Sequence, residues 1–285
     1  MLLGKYDDFL GPMATDLSLS LDAAVNIRAP RFDNVVHNGM RNANPVSHVA
    51  EAIHQQVYQH VASGRIALTI GGDHSIAIGS VAGSAHAVKR TLNMDVGVVW
   101  VDAHADIRMP GNLSIGNLNR MQLAWLSGLV TEKIGFKPFH WLDKEHRISL
   151  KKLVYVGLRH ASKNERKTLS DEGVKVFSVK DVGSYGMTKV MEMALDWIGA
   201  DTPIHLSFDV HALDPMWAPN TADPVPNGLS LHDSKLLAQL ISESGNLVAL
   251  DMVEINNRAG SSKCHGHTVR SAQSIIRCAL GKKAS

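Results

Sequence analysis

The sequence predicts an α/β fold of three-layer α/β/α type with a mostly parallel sheet, and three observations predict it. Short apolar runs rich in β-branched residues recur along the chain, longer amphipathic segments separate them, and the runs end in Gly, Asp or Glu. Near-continuous apolar runs mark strands buried on both faces, and their alternation with helical patterns requires crossover connections. With 285 residues, 45% hydrophobic and 20% charged, the chain suits one globular domain over 1–285.

The strand candidates are Ile66–Ile70 ending in Gly71-Gly72, Val96–Val101 ending in Asp102, Leu153–Val156 ending in Gly157, Ile204–Phe208 ending in Asp209, and Leu247–Val253 ending in Glu254. Helical periodicity covers roughly 47–62, 76–90, 118–129, 187–198, 232–243 and 267–280. No internal repeat and no Pro/Gly/Ser linker divides them. In such sheets the site lies beyond the carboxyl ends of the strands.

Bulk composition excludes several function classes. Lys plus Arg is 29 against 27 for Asp plus Glu, a formal charge of +2, which gives no electrostatic basis for nucleic acid or an anionic membrane as partner. There is no bilayer-length apolar run. The opening MLLGKYDDFLGPMA lacks a basic region followed by an apolar one, so a cytoplasmic location is expected. Cys264 and Cys278 are expected as free thiols. Histidine is the unusual residue: its 15 copies equal Phe (6), Tyr (4) and Trp (5) combined, and imidazole suits metals and proton transfer near neutral pH.

The strand ends collect these residues. In Asp102-Ala103-His104-Ala105-Asp106, strand alternation sends 102, 104 and 106 to one side. Gly71-Gly72-Asp73-His74-Ser75 allows a tight turn that carries His74 toward a neighbouring strand end. Asp209 and His211 again share a strand face, followed by Leu213-Asp214-Pro215. Glu254 stands alone after the last run. His74, Asp102, His104, Asp106, Asp209 and His211 make six O and N ligands, too many for one tetrahedral zinc. They suit two divalent ions bridged by carboxylates, which activate water for attack on an electrophilic carbon. His265 and His267 beside Cys264 read as a solvated loop before the last helix.

The set GGDHS, DAHAD, SFDV with LDP, and an acid after the last strand resembles the arginase family of ureohydrolases. RNANPVSHVAEAI, YVGLR, NGLS and LDMVEIN look more like arginases than agmatinases, and the resemblance runs from about Arg41 to the end. It implies two Mn²⁺ ions: His74, Asp102, Asp106 and Asp209 on one, Asp102, His104, Asp209 and the residue at 211 on the other. It implies Glu254 on the guanidinium of a small guanidino substrate, with Glu254 and Asp106 in the catalytic set. Arginine or a relative would yield urea and an amine such as ornithine through attack of a bridging hydroxide. It also implies a homo-oligomer, trimer or hexamer.

Departures from the family pattern fall around the same residues. His211 replaces an aspartate, so ligand carboxylates carry −3 against +4 from two divalent ions, and imidazole there favours Zn²⁺, Ni²⁺ or Co²⁺. Asn119 replaces a histidine. Ile115 and Arg108 replace residues that recognise an α-carboxylate, and His160 and Ser162 replace acids that engage an α-amino group. Asp223 is new in Thr221-Ala222-Asp223-Pro224. Arg108, Asn119, Asp223 and Glu254 are therefore the expected substrate contacts. The family's first strand has no counterpart in residues 1–30, and Ala23–Ile27 looks like its second. These departures leave open an alternative: an impaired paralogue serving as a structural or regulatory subunit.

Overall fold

The computed structural model of the chain describes residues 25–28, 30–31, 35–37, 39–110, 118–130, 138–255 and 262–284. A two-stranded antiparallel ladder, β1 (Val36–His37) with β2 (Met40–Arg41), leads into helix α1 (Ala43–Ala62). Then follow β3 (Ala67–Ile70), α2 (Ala77–Leu92), β4 (Gly97–Val101), α3 (Gln122–Leu126), β5 (Leu153–Leu158), α4 (Lys163–Asp171) and β6 (Lys175–Ser178). The chain continues through α5 (Val179–Tyr185), α6 (Met187–Ile198), β7 (Ile204–Asp209), α7 (Leu231–Glu243), β8 (Leu247–Val253) and α8 (Ser262–Ala279).

The strands from β3 onward form one parallel sheet in the order β3-β8-β7-β4-β5-β6. All five apolar runs are strands of this sheet, as expected. Side-chain alternation divides the core: Val98 and Trp100 of β4 pack with α1, α2 and α3, while Val99 and Val101 pack with α6, α7 and α8. The register sets the ends level. Val101 lies opposite Phe208, Asp209 opposite Val253 and Ile70 opposite Met252. Asp102, Asp209, Glu254 and the Gly71–His74 turn therefore leave the sheet at one edge, where the order crosses from β3 over β8 and β7 to β4.

Several expectations need correction. Residues 25–28 carry no strand, so the second strand expected at Ala23–Ile27 does not form over the part described. The missing front strand falls on residues outside the described ones, among which β3 and β6 are the sheet's edges. Helix α4 and strand β6 were not foreseen. Of α4 only Glu165 and Leu169 are buried, so its sequence carries no apolar stripe, and β6 is a short edge strand. The helix expected over 118–129 is a 3-10 turn (Leu118–Arg120) followed by α3, closed by Gly128 at φ +75°. Helix α8 begins at Ser262, which places His265 and His267 on a helix rather than in a loop. Cys264 and Cys278 are not joined in a disulfide. No described helix is long and apolar enough to cross a membrane.

Candidate metal and substrate site

Each site residue is aimed by a local device at its strand end. After β3, a Cβ on Gly71 would meet Ile76 Cδ1, so any side chain there would displace Ile76. Asp73 then caps a 3-10 turn, His74–Ile76, by accepting from Ser75 N at 3.0 Å. Strand β4 stops at Val101, and 102–106 is not regular strand. Ala103 O accepts from Arg159 N (3.1 Å) and His160 N (2.8 Å), and Asp106 has φ +50°. Residues 102, 104 and 106 still reach one place, through a pinned loop rather than strand alternation. Asp209 ends β7 and caps the 3-10 turn Val210–Ala212, accepting from His211 N at 2.6 Å. Residues 209 and 211 thus meet through a turn, correcting the shared strand face. Glu254 sits at φ +62°, donates its N–H to Gly72 O (2.9 Å) and accepts from His74 N at Oε1 (2.9 Å). Two of the few non-glycine residues with positive φ are thus Asp106 and Glu254, and such strain persists only where surroundings enforce it.

The centre is a buried imidazole facing three carboxylates. His74 Nδ1 lies 3.2 Å from Oδ2 of each of Asp102, Asp106 and Asp209. Its Nε2 is 2.9 Å from Ser207 Oγ, and Ser207 donates to Asp251 Oδ2 at 3.2 Å. Asp251 also pairs with His205 (2.9 Å) and accepts from Ser80 (2.7 Å). With the Ser207 proton committed to Asp251, neutral His74 carries its own proton on Nε2. Its Nδ1 then faces three carboxylate oxygens, which hold a proton there in the metal-free protein and would hold a divalent cation in its place. Trp100 stacks on the ring at 4.2 Å.

A second cluster shares two of these carboxylates. Asp102 Oδ1 is 3.3 Å from His104 Nδ1, and Asp209 Oδ1 is 2.9 Å from His211 Nδ1. Asp102 and Asp209 each give one oxygen to either cluster, the arrangement of bridging ligands. Asp106 accepts at Oδ2 from Gln122 Nε2 (2.9 Å), while its Oδ1 and His104 Nε2 are buried without a hydrogen-bond partner. His211 is more committed: its Nε2 accepts from Asp223 N at 3.1 Å, so a neutral ring keeps its proton on Nδ1 against Asp209.

The electrostatics follow from burial among like charges. Burial lowers the pKa of His74, but hydrogen bonds to Asp102, Asp106 and Asp209 outweigh it and raise it well above the usual value. Burial, then the charge of Asp102, raises Asp106 to about 6. Burial, then Asp209, raises Glu254 to about 7. Burial pulls His211 down, yet Asp209 lifts it to about 9. Asp106 and Glu254 are thus crowded and short of positive charge, whereas at Asp102 and Asp209 burial is outweighed by the histidines beside them, which hold both carboxyls below the usual range. The donor sets fit divalent cations: His74, Asp102, Asp106 and Asp209 once Nδ1 of His74 has given up its proton, Asp102, His104, Asp209 and His211 once the His211 Nδ1 proton is displaced.

A cavity of about 440 Å³ opens above, lined by His104, Asp106, Arg108, Asn119, Asp209, His211, Asp223 and Glu254, together with Arg120 and Ala222. All ten expected site residues therefore converge, with His74 and Asp102 at the floor. Of the other family positions, His160 is exposed, Ser162 caps α4 by accepting from Glu165 N at 3.2 Å, and Ile115 lies outside the described residues. Sequence reading missed Arg120, which pairs with Asp223 and lies 4.0 Å from Asp106 Oδ1. It also missed Gln122, Ser207 and Arg159. The Arg159 guanidinium pins the 211–226 loop by donating to the carbonyls of His211 (2.8 Å), Ala212 (3.1 Å) and Pro226 (3.1 Å). Asp251 had a signal, an acid inside an apolar run.

Comparison with known proteins agrees with this geometry. The arginase family model matches residues 12–281. The arginase of Neurospora crassa is 49% identical over 249 residues, covering 86% of this chain and 69% of the relative. The crystal structure of Bacillus subtilis arginase superposes with a TM-score of 0.83 at 30% identity, covering 97% of this chain and 89% of that one. Entamoeba histolytica arginase in complex with L-ornithine gives a TM-score of 0.83 at 29% identity, covering 99% and 94%. The match spans nearly the whole chain and includes every strand of the sheet that carries the site, so the chain belongs to the arginase family.

Proposed function

We propose that the protein hydrolyses L-arginine, or a close guanidino relative, to urea and L-ornithine or the corresponding amine. The single observation that carries the reading is His74 Nδ1 held 3.2 Å from three buried carboxylates, beside a cavity that Glu254 helps to line. His74, Asp102, Asp106 and Asp209 would hold one divalent ion, Mn²⁺ by family resemblance; Asp102, His104, Asp209 and His211 would hold the second. When bound, such ions lower the pKa of water and supply a nucleophile at neutral pH.

The chain's own residues do the rest. Glu254 Oε2 receives the substrate guanidinium, a charge-assisted contact that aligns its carbon over the carboxylate floor. Ionised Glu254 next to a permanent cation stays ionised despite its burial. Asp106 Oδ1, buried and without a hydrogen-bond partner, takes the proton of the attacking hydroxyl and passes it to the departing amine nitrogen as the C–N bond breaks. Water is thereby added across the bond: the hydroxyl oxygen goes to urea and the proton to the amine. Arg108 and Asp223 offer opposite charges at the mouth to an amino-acid head group. Asn119 cannot carry a proton, so exchange with solvent runs through water at the mouth.

Support for an amino-acid product comes from the relative solved in complex with L-ornithine. From family resemblance we also infer a cytoplasmic homo-oligomer, trimer or hexamer, which light scattering on purified protein would test. The decisive experiment is urea release by metal-reconstituted protein, with chelator stripping and metal restoration as controls. Metal-dependent urea release from arginine is expected. If the loaded protein releases urea from neither arginine, agmatine nor any other guanidino compound tried, the reading falls, and a structural or regulatory subunit becomes the better account.

A further inference from the structure

Away from the cavity, a second group of histidines is brought together by three elements distant in sequence. His54 lies within α1, His86 within α2, and His146 closes a 3-10 turn, Lys144–His146. Each offers a ring nitrogen, and the three nitrogens lie within 4.8 Å of one another. His54 Nε2 is 3.2 Å from His86 Nδ1. The ring centroids of His54 and His86 lie 4.6 and 4.5 Å from that of His146. None of the three lines the substrate cavity.

From this geometry we propose that His54, His86 and His146 form a separate metal site for one borderline divalent cation of the zinc, cobalt or nickel class. The donor set is all imidazole, which suits those ions better than Mn²⁺ or Mg²⁺. Three protein ligands leave a fourth tetrahedral position for water. Two of the rings are braced as ligand histidines usually are, by a carboxylate on the far nitrogen. Asp143 Oδ1 is 2.7 Å from His146 Nδ1, which directs His146 Nε2 toward its neighbours, and Glu145 Oε2 is 3.5 Å from His86 Nε2. The ring of Tyr58 lies tilted 4.4 Å from His86 and that of Trp141 tilted 5.3 Å from His54, an aromatic wall that limits water. Burial and the neighbouring imidazoles lower the pKa of His54 to about 4, so its lone pair is available at neutral pH. The bound ion would fasten the 143–146 turn to the α1–α2 pair. It takes no part in the hydrolysis.

The competing account is a metal-free stack of hydrogen-bonded imidazoles, and the experiment separates the two. Full-length, chelator-stripped protein is titrated with Zn²⁺ and, as spectroscopic probe, Co²⁺. Metal per chain is counted after gel filtration, and Tm is followed. We expect His86→Ala and His146→Gln each to bind one equivalent less than the parent and to lose part of the Zn²⁺-induced rise in Tm, with Mn²⁺-supported urea release unchanged. Asp143→Asn keeps all three ligands and should weaken that equivalent roughly 10- to 100-fold. His146→Gln, on a turn rather than a packed helix, keeps the test open if His86→Ala does not fold. The proposal is overturned if His146→Gln retains the parent's metal count and Zn²⁺-dependent Tm, or if Zn-edge anomalous scattering finds no ion between the rings.

Discussion

Asp209 Oδ1 lies 2.9 Å from His211 Nδ1, and its other oxygen lies 3.2 Å from His74 Nδ1. One carboxylate thus joins the two clusters, but only His74 can give up its Nδ1 proton and keep one on Nε2, against Ser207. His211 accepts the Asp223 N–H at Nε2, so its Nδ1 holds a proton where a metal would need an electron pair. His211→Asp supplies an anionic oxygen with no proton to displace. The parent protein should hold one Mn²⁺ tightly and the second weakly; the variant should hold two. Urea release should rise at least about ten-fold, the usual scale for restoring a metal's environment. Metal content after gel filtration and the urea assay check both halves. Equal affinity for two Mn²⁺ ions in parent and variant would sink the idea.

Metal uptake should release protons. His74 has its pKa raised well above the usual value by the three carboxylates around it, although burial opposes this. At pH 7 the metal-free ring is therefore protonated, and it must lose that proton to serve as a ligand. At least one proton should leave per metal bound, and affinity should fall as pH falls. Calorimetry of Mn²⁺ binding in buffers of different ionisation enthalpy reads the number directly. A buffer-independent heat would show that His74 is not titrating.

Glu254→Gln keeps size and one acceptor oxygen but removes the charge opposite the guanidinium. A hydrogen bond to a charged group is worth about 1.5–3 kcal/mol, and burial favours the upper end. The expected loss in kcat/KM for arginine is therefore roughly 100-fold, at 1.36 kcal/mol per decade. Metal content should not change, because Glu254 stands in neither ligand cluster. A variant within a factor of three of the parent would remove Glu254 from substrate recognition.

What the sequence made legible, and what it did not, has a physical basis. Strands β4, β5, β7 and β8 are buried on both faces and the edge strand β3 is half-buried, so each shows as an apolar run ending in a charged residue or glycine. Asp102, His104, Asp106, Asp209 and His211 could be assigned to one place because parallel strands end level. Their approach was misjudged, since alternation was extended past Val101 and Phe208 into segments that are a loop and a 3-10 turn. Arg120 left no trace: its pairing with Asp223 joins residues 103 apart in sequence, through a loop with no periodicity. The His54–His86–His146 group was equally invisible. Two of its members lie on helices whose apolar stripes gave no reason to single out a histidine, and the third lies in a polar turn.

Arg120 places the chain's own guanidinium over the carboxylates that a substrate guanidinium must approach. It pairs with Asp223, which is half exposed, and lies 4.0 Å from Asp106 Oδ1. Both positions sit at the cavity mouth, so removal should free negative charge for the incoming cation without disturbing the floor. Arg120→Ala should lower KM for arginine about three-fold, the worth of a partly exposed ion pair, with kcat within a factor of two. Steady-state kinetics at low and at 0.5 M salt check this, because screening should erase the difference. A rise in KM would instead make Arg120 part of the head-group recognition.

The imidazole cluster also governs stability in acid. His54 is held to about 4 chiefly by burial, then by His146 and His86, with Asp143 pulling the other way. An unfolded chain takes up this proton near pH 6.5, while the folded one resists it until about 4. Between those values the unfolded state binds more protons, so stability falls as pH drops through that window. In the presence of chelator, Tm of the parent should decline from pH 6.5 toward 4 more steeply than that of His54→Phe, which has no proton to exclude and keeps an aromatic ring against Trp141. The same comparison at pH 7.5 should show little pH slope in either protein. Parallel Tm curves for the two proteins from pH 6.5 down to 4 would mean that His54 does not titrate in this window.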